Sequence, residues 1–107
     1  MLKLDAAAQG FAAVGSEPRL AVLLTLVRAG VNGLTVGDIQ ERVGLPASTL
    51  AHHLRHLGDG GLIEQQRQGR AVVNRAAYDR IKELADYLLK ECCSEAEQSS
   101  SSRRAAS

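Results

Sequence analysis

Residues 45–76 read LPASTLAHHLRHLGDGGLIEQQRQGRAVVNRA. Pro46 breaks the chain after Gly44, a helix starts near Ala47, and the glycines from Gly58 to Gly61 end it. At about 100° per residue, Leu50, Leu54 and Leu57 fall in one narrow stripe, which must face a core. Ser48, His52, Arg55 and His56 fall on the opposite side, with Thr49 beside them, and this outward face carries no acid. Past the glycines the period changes. Leu62 and Ile63, then Val72 and Val73, lie in two strand-like runs around RQGR, where Gly69 supplies the turn of a β-hairpin.

The flanking sequence extends the pattern. TVGDIQERVG (35–44) reads as a short helix capped by Thr35 and ended by Gly44, so two short helices meet at a Gly-Leu-Pro turn. SEPRLAVLLTLVRAG (16–30) is a helix with Ser16 as N-cap, Pro18 in its first turn, Gly30 as its stop, and Leu20, Leu23, Leu24 and Val27 as the expected buried stripe. LDAAAQGFAAVG (4–15) is a short Ala-rich helix. AYDRIKELADYLLKECC (77–93) is the last, with Tyr78, Ile81, Leu84, Ala85, Leu88 and Cys92 along one apolar stripe. The order helix, helix, helix-turn-helix, hairpin, helix is a winged helix-turn-helix, mainly α with a small β-hairpin. The domain is expected over residues 1–93. The Ser-rich stretch 94–107 has almost no bulky apolar residue and is expected to be a disordered tail.

The outward face of the helix at 47–57 offers hydroxyls, imidazoles and a guanidinium, groups that donate to phosphates and base edges. Arg67 and Arg70 lie at the hairpin tip, within reach of flanking backbone. Between Ala47 and Arg75 four arginines face two acids, Asp59 and Glu64, so this half is basic although the net charge of the chain is only +1. Any surface helix has a polar face. What favours double-stranded DNA as partner is that turn, helix and hairpin occur in the order a groove-reading module needs. Ser48, Thr49, His52, Arg55, His56, Arg67 and Arg70 are therefore the expected DNA-binding residues, and His53 turns toward the core edge. His52 and His56, four apart, have no carboxylate or cysteine beside them in sequence to complete a metal site.

The same segment closely resembles the recognition helix and wing of the ArsR family of bacterial repressors. The shared features are the Ser-Thr helix start, His-His-Leu, two residues and a further Leu, and the Gly-Leu-Ile step into the wing. SEPRLAVLLTL is similar to that family's second helix, and the likeness runs over roughly residues 4–93. It implies a homodimeric repressor that dimerises through its first and last helices, binds an imperfect palindrome, and releases it when an inducer binds.

The resemblance also frames the cysteines. The family's Cys-Val-Cys box at the start of the helix-turn-helix is matched here by GLTVGD, without cysteine, and the last helix lacks the histidines of the zinc, nickel and cobalt sensors. What remains is Cys92–Cys93, the chain's two cysteines. Their adjacency makes a disulfide between them strained. As thiolates they can reach one soft centre, and the pair resembles the subgroup whose arsenical site is a C-terminal cysteine pair. With no third cysteine, an organic trivalent arsenical is favoured over inorganic arsenite, and antimony fits as well. Two other readings stay open: a thiol redox sensor, and an inert pair in which Cys92 is a small buried hydrophobe while Cys93 points away.

Composition bounds the rest. At 107 residues, 45% apolar, the chain is one domain with a modest core built from Leu, Val, Ile and Ala, since Phe11, Tyr78 and Tyr87 are its only aromatics. Little aromatic area in a small domain favours dimerisation. No apolar run approaches the roughly 18 residues of a membrane span, and Asp5 with no long apolar run after it argues against a signal peptide, so a cytoplasmic protein with no membrane partner is expected. No nucleophile elbow or phosphate loop is present and neither cysteine neighbours a histidine, so neither enzymatic activity nor a required cofactor is expected. A protein-interaction winged helix is the remaining alternative.

Overall fold

Thr35 opens the helix-turn-helix. In the computed structural model, which describes residues 2–95, its hydroxyl accepts from the Asp38 amide and the Asp38 carboxylate accepts from the Thr35 amide, both at 3.2 Å. This reciprocal cap starts α3 (Val36–Val43). The Gly44 amide donates to the Gln40 carbonyl at 2.8 Å as the helix stops in a left-handed residue, and Pro46 then enters α4 (Ala47–Asp59).

The expected leucine stripe is the seam of the core. Leu50, Leu54 and Leu57 are buried against Val22 and Leu26 of α2 (Glu17–Ala29), Ile39 of α3, and Leu62. Each such leucine is worth about 2 kcal/mol of burial. On α2 the expected stripe is rotated. Val22, Leu23 and Leu26 are buried, whereas Leu20 and Leu24 remain 42% and 39% exposed. The run LAVLLTLV is apolar on every side, so spacing selects no face. The packing of α3, α4 and the sheet on one side of α2 does.

Arg19 ties α2 to α1 (Leu4–Ala13). Its amide donates to the Ser16 cap at 3.2 Å, while its guanidinium donates to the carbonyls of Ala13 at 2.7 Å and Ala12 at 3.2 Å. Those are two of the carbonyls that the end of α1 leaves without a helical partner. Ala7 and Ala13 of α1 are buried, and α1 packs against α4 and α5 (Tyr78–Leu89).

The hairpin pairs β2 (Ile63–Gln68) with β3 (Ala71–Ala76) from Ile63↔Ala76 to Gln68↔Ala71, leaving Gly69 and Arg70 as the loop. A third strand, not expected from the sequence, joins the hairpin. β1 (Leu34–Thr35) pairs with β3 in register Leu34↔Asn74 and Thr35↔Val73, and the sheet order is β1-β3-β2. Asn74 locks this junction. It is fully buried, its amide nitrogen donates to the Leu34 carbonyl at 3.3 Å, and its Oδ1 accepts from Gln65 Nε2 at 2.7 Å. Arg75 adds a second tie, donating to the Val31 carbonyl at 3.1 Å and to Gln66 Oε1 at 2.7 Å.

The last helix is shorter than expected. α5 ends at Leu89, and Lys90–Glu95 continue as turns in which the Cys92 amide donates to the Leu89 carbonyl and Cys93 takes a left-handed φ of 60°. Tyr87 is the last half-buried residue of the helix, and from Leu88 onward to Cys92 the chain is exposed, so burial no longer supports it. Of its expected stripe only Leu84 is buried and Ile81 half-buried, while Leu88 is 62% exposed. Of the expected tail, residues 96–107 lie outside the described residues. Among the described residues no single helix is long and apolar enough to cross a membrane.

Candidate nucleic-acid interface

Five of the expected DNA-facing residues share α4. Ser48, Thr49, His52, Arg55 and His56 are all exposed, on the side opposite Leu50, Leu54 and Leu57. The first turn of α4 carries no acid and its N-cap, Pro46, offers no side-chain acceptor, so no side chain caps the first amides of the helix. The His52 and His56 rings meet edge to face, with centroids 4.5 Å apart. Arg67 and Arg70 are exposed at the hairpin tip, so the structure brings five residues together on one helix face and sets the two arginines apart on the wing.

Two features of this face depart from the sequence reading. First, α4 runs through Gly58 to Asp59 instead of stopping at Leu57, so the outward face does hold an acid at its far end. A glycine inside a helix costs only about 1 kcal/mol relative to alanine, and the flanking buried Leu57 and Gly60 hold the turn. Second, a cleft of about 470 Å³ separates α4 from the wing, lined by Val36 and Leu54 together with Arg55, Asp59 and Gln65. Gln65 thus faces α4, oriented by buried Asn74. Sequence gave no signal for it, because every residue of β2 after Ile63 is exposed and no alternation marks a face. Of the four arginines of the basic half, Arg75 is spent on the fold.

His53 faces inward as expected. Its Nδ1 is buried and has no hydrogen-bond partner among the described residues. Burial holds its pKa below the ordinary 6.5, and the nearby charges of Arg19, His52 and His56 push the same way. The fold therefore favours the neutral ring. That contribution is complete above the unfolded value and is lost as pH falls through the lowered folded value. Thermal stability is accordingly expected to drop as pH is taken from about 7.5 to about 5, with His53→Leu flattening the acid side of the profile. An unchanged profile in that variant, read by circular-dichroism melting, would show that His53 is not the group involved.

The cysteines lie in the turns that follow α5. The two Sγ atoms are 3.6 Å apart. Cys92 is exposed and Cys93 half-buried, the reverse of the expected arrangement, because the chain has left the helix before reaching them. Among the described residues no group of three His, Cys, Asp or Glu side chains is placed to hold a metal ion.

Residues 14–66 match a family of helix-turn-helix domains. An uncharacterised HTH-type transcriptional regulator of Methanocaldococcus jannaschii is 31% identical over 84 residues, which span 78% of this chain and 92% of the relative. Among solved structures, an ArsR-like transcriptional regulator from Rhodococcus sp. RHA1 superposes with a TM-score of 0.78 over 95% of this chain and 93% of that one, at 24% identity. The homodimeric winged helix-turn-helix DNA-binding domain of a possible ArsR-family regulator from Mycobacterium bovis does so with a TM-score of 0.66 at 30% identity, over 82% of each chain. These relatives are transcriptional regulators rather than enzymes, and the element order, the wing and the exposed face of α4 are those of a DNA-binding module. This chain belongs to the ArsR-type winged helix-turn-helix transcriptional regulators.

Proposed function

We propose that the protein is a homodimeric repressor that leaves its operator palindrome when a trivalent arsenical, an organic one in preference to arsenite, bridges Cys92 and Cys93. Trivalent antimony would act at the same pair. The observation that carries the reading is the 3.6 Å separation of the two Sγ atoms in the turns that follow α5. Two thiolates on one centre with bonds of about 2.3 Å stand roughly 3.5 Å apart, so one soft atom spans this pair with little rearrangement. A centre with one carbon substituent needs only two sulfurs, which is what the chain offers.

Dimerisation is supported by the homodimeric Mycobacterium bovis relative and by the outer faces of α1 and α5, where Leu4, Leu88 and Leu89 are 73%, 62% and 67% exposed. A two-fold axis through these helices sets two copies of α4 about one DNA turn apart. The cysteines follow α5 directly, so a bound arsenical reshapes that seam and changes the spacing of the two helices.

The test is a mobility-shift titration of Cys92→Ser/Cys93→Ser against a phenyl arsenical. The parent is expected to lose DNA affinity by at least about tenfold, a coupling of about 1.4 kcal/mol. The variant is expected to bind DNA as the parent does and to ignore the arsenical. A parental response in the variant would remove the cysteines from the mechanism.

A further inference from the structure

His52 and His56 stand one helical turn apart on α4, both exposed, with ring centroids 4.5 Å apart at 72°. Side chains four apart on a helix rise from one face, so both imidazoles can turn a ring nitrogen toward one centre above that face. Neutral imidazole is a good ligand for copper, nickel and zinc. His53 takes no part: it lies on the inner flank with Nδ1 buried. Asp59, one turn beyond His56, lines with it and Gln9 a small cavity between α1 and α4, so a carboxylate stands on the same flank. It does not complete a three-ligand cluster, which leaves a two-nitrogen site whose other positions are filled by water.

We propose that His52 and His56 form a two-imidazole site on the recognition helix for a borderline divalent transition metal, and that its occupancy excludes DNA. With two nitrogens and water as ligands, copper(II) binds more tightly than nickel(II) or zinc(II), following the general order of divalent affinities. The exclusion rests on the assignment of the outer face of α4 to DNA. A ring nitrogen bound to metal no longer serves a base edge or phosphate, and the metal with its waters fills the space the groove would occupy. Calcium and magnesium, which take oxygen ligands, leave the site empty.

The experiment uses the chain carrying Cys92→Ser/Cys93→Ser, so that thiols neither bind nor reduce the metal. Copper(II) chloride is titrated into it by calorimetry. One ion per chain is expected, and His52→Gln and His56→Gln should each weaken binding by at least about tenfold, whereas His53→Gln should not. Wild-type affinity in both of the first two variants, or no binding by the thiol-free chain, overturns the site. The second arm repeats the titration on the complex with a duplex selected from a random pool. Copper at a hundred times its dissociation constant should lower apparent DNA affinity by at least about a hundredfold, the factor for one site of the dimer. Histidine-dependent binding that is equally tight with and without DNA overturns the exclusion, and with it the placement of this face against DNA, while the metal site itself stands.

Discussion

The chain carrying His52→Ala and Arg55→Ala is expected to lose sequence-specific DNA binding by roughly 30- to 10,000-fold. Base-reading contacts are each worth about 1–3 kcal/mol of discrimination, and these two side chains occupy the middle of the outward face of α4. The fold should survive. Both residues are exposed, neither belongs to the Leu50–Leu54–Leu57 seam, and alanine is a good helix former, so stability should shift by no more than about 0.5 kcal/mol. The wing gives the contrast. Arg67→Ala and Arg70→Ala should weaken binding evenly across sequences and lower the dependence of log affinity on log salt by about one each. The measurement is a pair of titrations, on a selected duplex and on a scrambled one, over a range of salt. If the double variant keeps the ratio between the two duplexes, α4 does not read sequence through these residues.

The second large effect concerns Gly33, which no functional argument singles out. It precedes β1 with φ 67° and ψ −172°, a conformation close to glycine's alone. A Cβ there would stand 2.5 Å from the Asn74 carbonyl oxygen and 2.6 Å from Val73 Cγ1. Gly30 offers a control within the same loop. Its φ of 80° and ψ of −161° are similar, yet a Cβ at Gly30 meets nothing within 4 Å. Gly30→Ala should therefore cost the backbone penalty alone, about 1–3 kcal/mol. Gly33→Ala should cost that and about 1–3 kcal/mol more, because β1 and β3 must separate to admit the methyl. In a domain of this size that is a large share of the whole stability, and the wing would lose its seat against the α2–α3 connection. Urea denaturation of the two variants side by side decides the matter. Equal midpoints would mean that the β1–β3 contact is looser than the structure has it.

Much of this protein was legible in its sequence wherever the deciding forces are local. Ser16 and Thr35 cap because their hydroxyls reach amides three residues on, and Gly44 ends α3 because a left-handed residue suits glycine. Gly69 places the hairpin, and the leucines of α4 share a stripe because a helix turns 100° per residue. These interactions span at most a few residues, so the order of elements, the winged helix-turn-helix and the exposed set from Ser48 to His56 follow from the chain itself.

What the sequence could not decide depends on partners far along the chain. The buried side of α2 was set by what packs on it, since its apolar run has no polar face to exclude. β1 exists only through pairing with Val73 and Asn74, some forty residues on, and two residues carry no pattern of their own. Gln65 faces α4 because Asn74, buried by that pairing, holds its amide. α5 stops short of Cys92 because its last core contact is Tyr87, and from Leu88 to Cys92 the chain is exposed, so both cysteines sit in turns where a helix was expected. Local hydrogen bonds and periodicity chose the elements, and long-range burial chose which faces they turn to one another and which residues are left facing out.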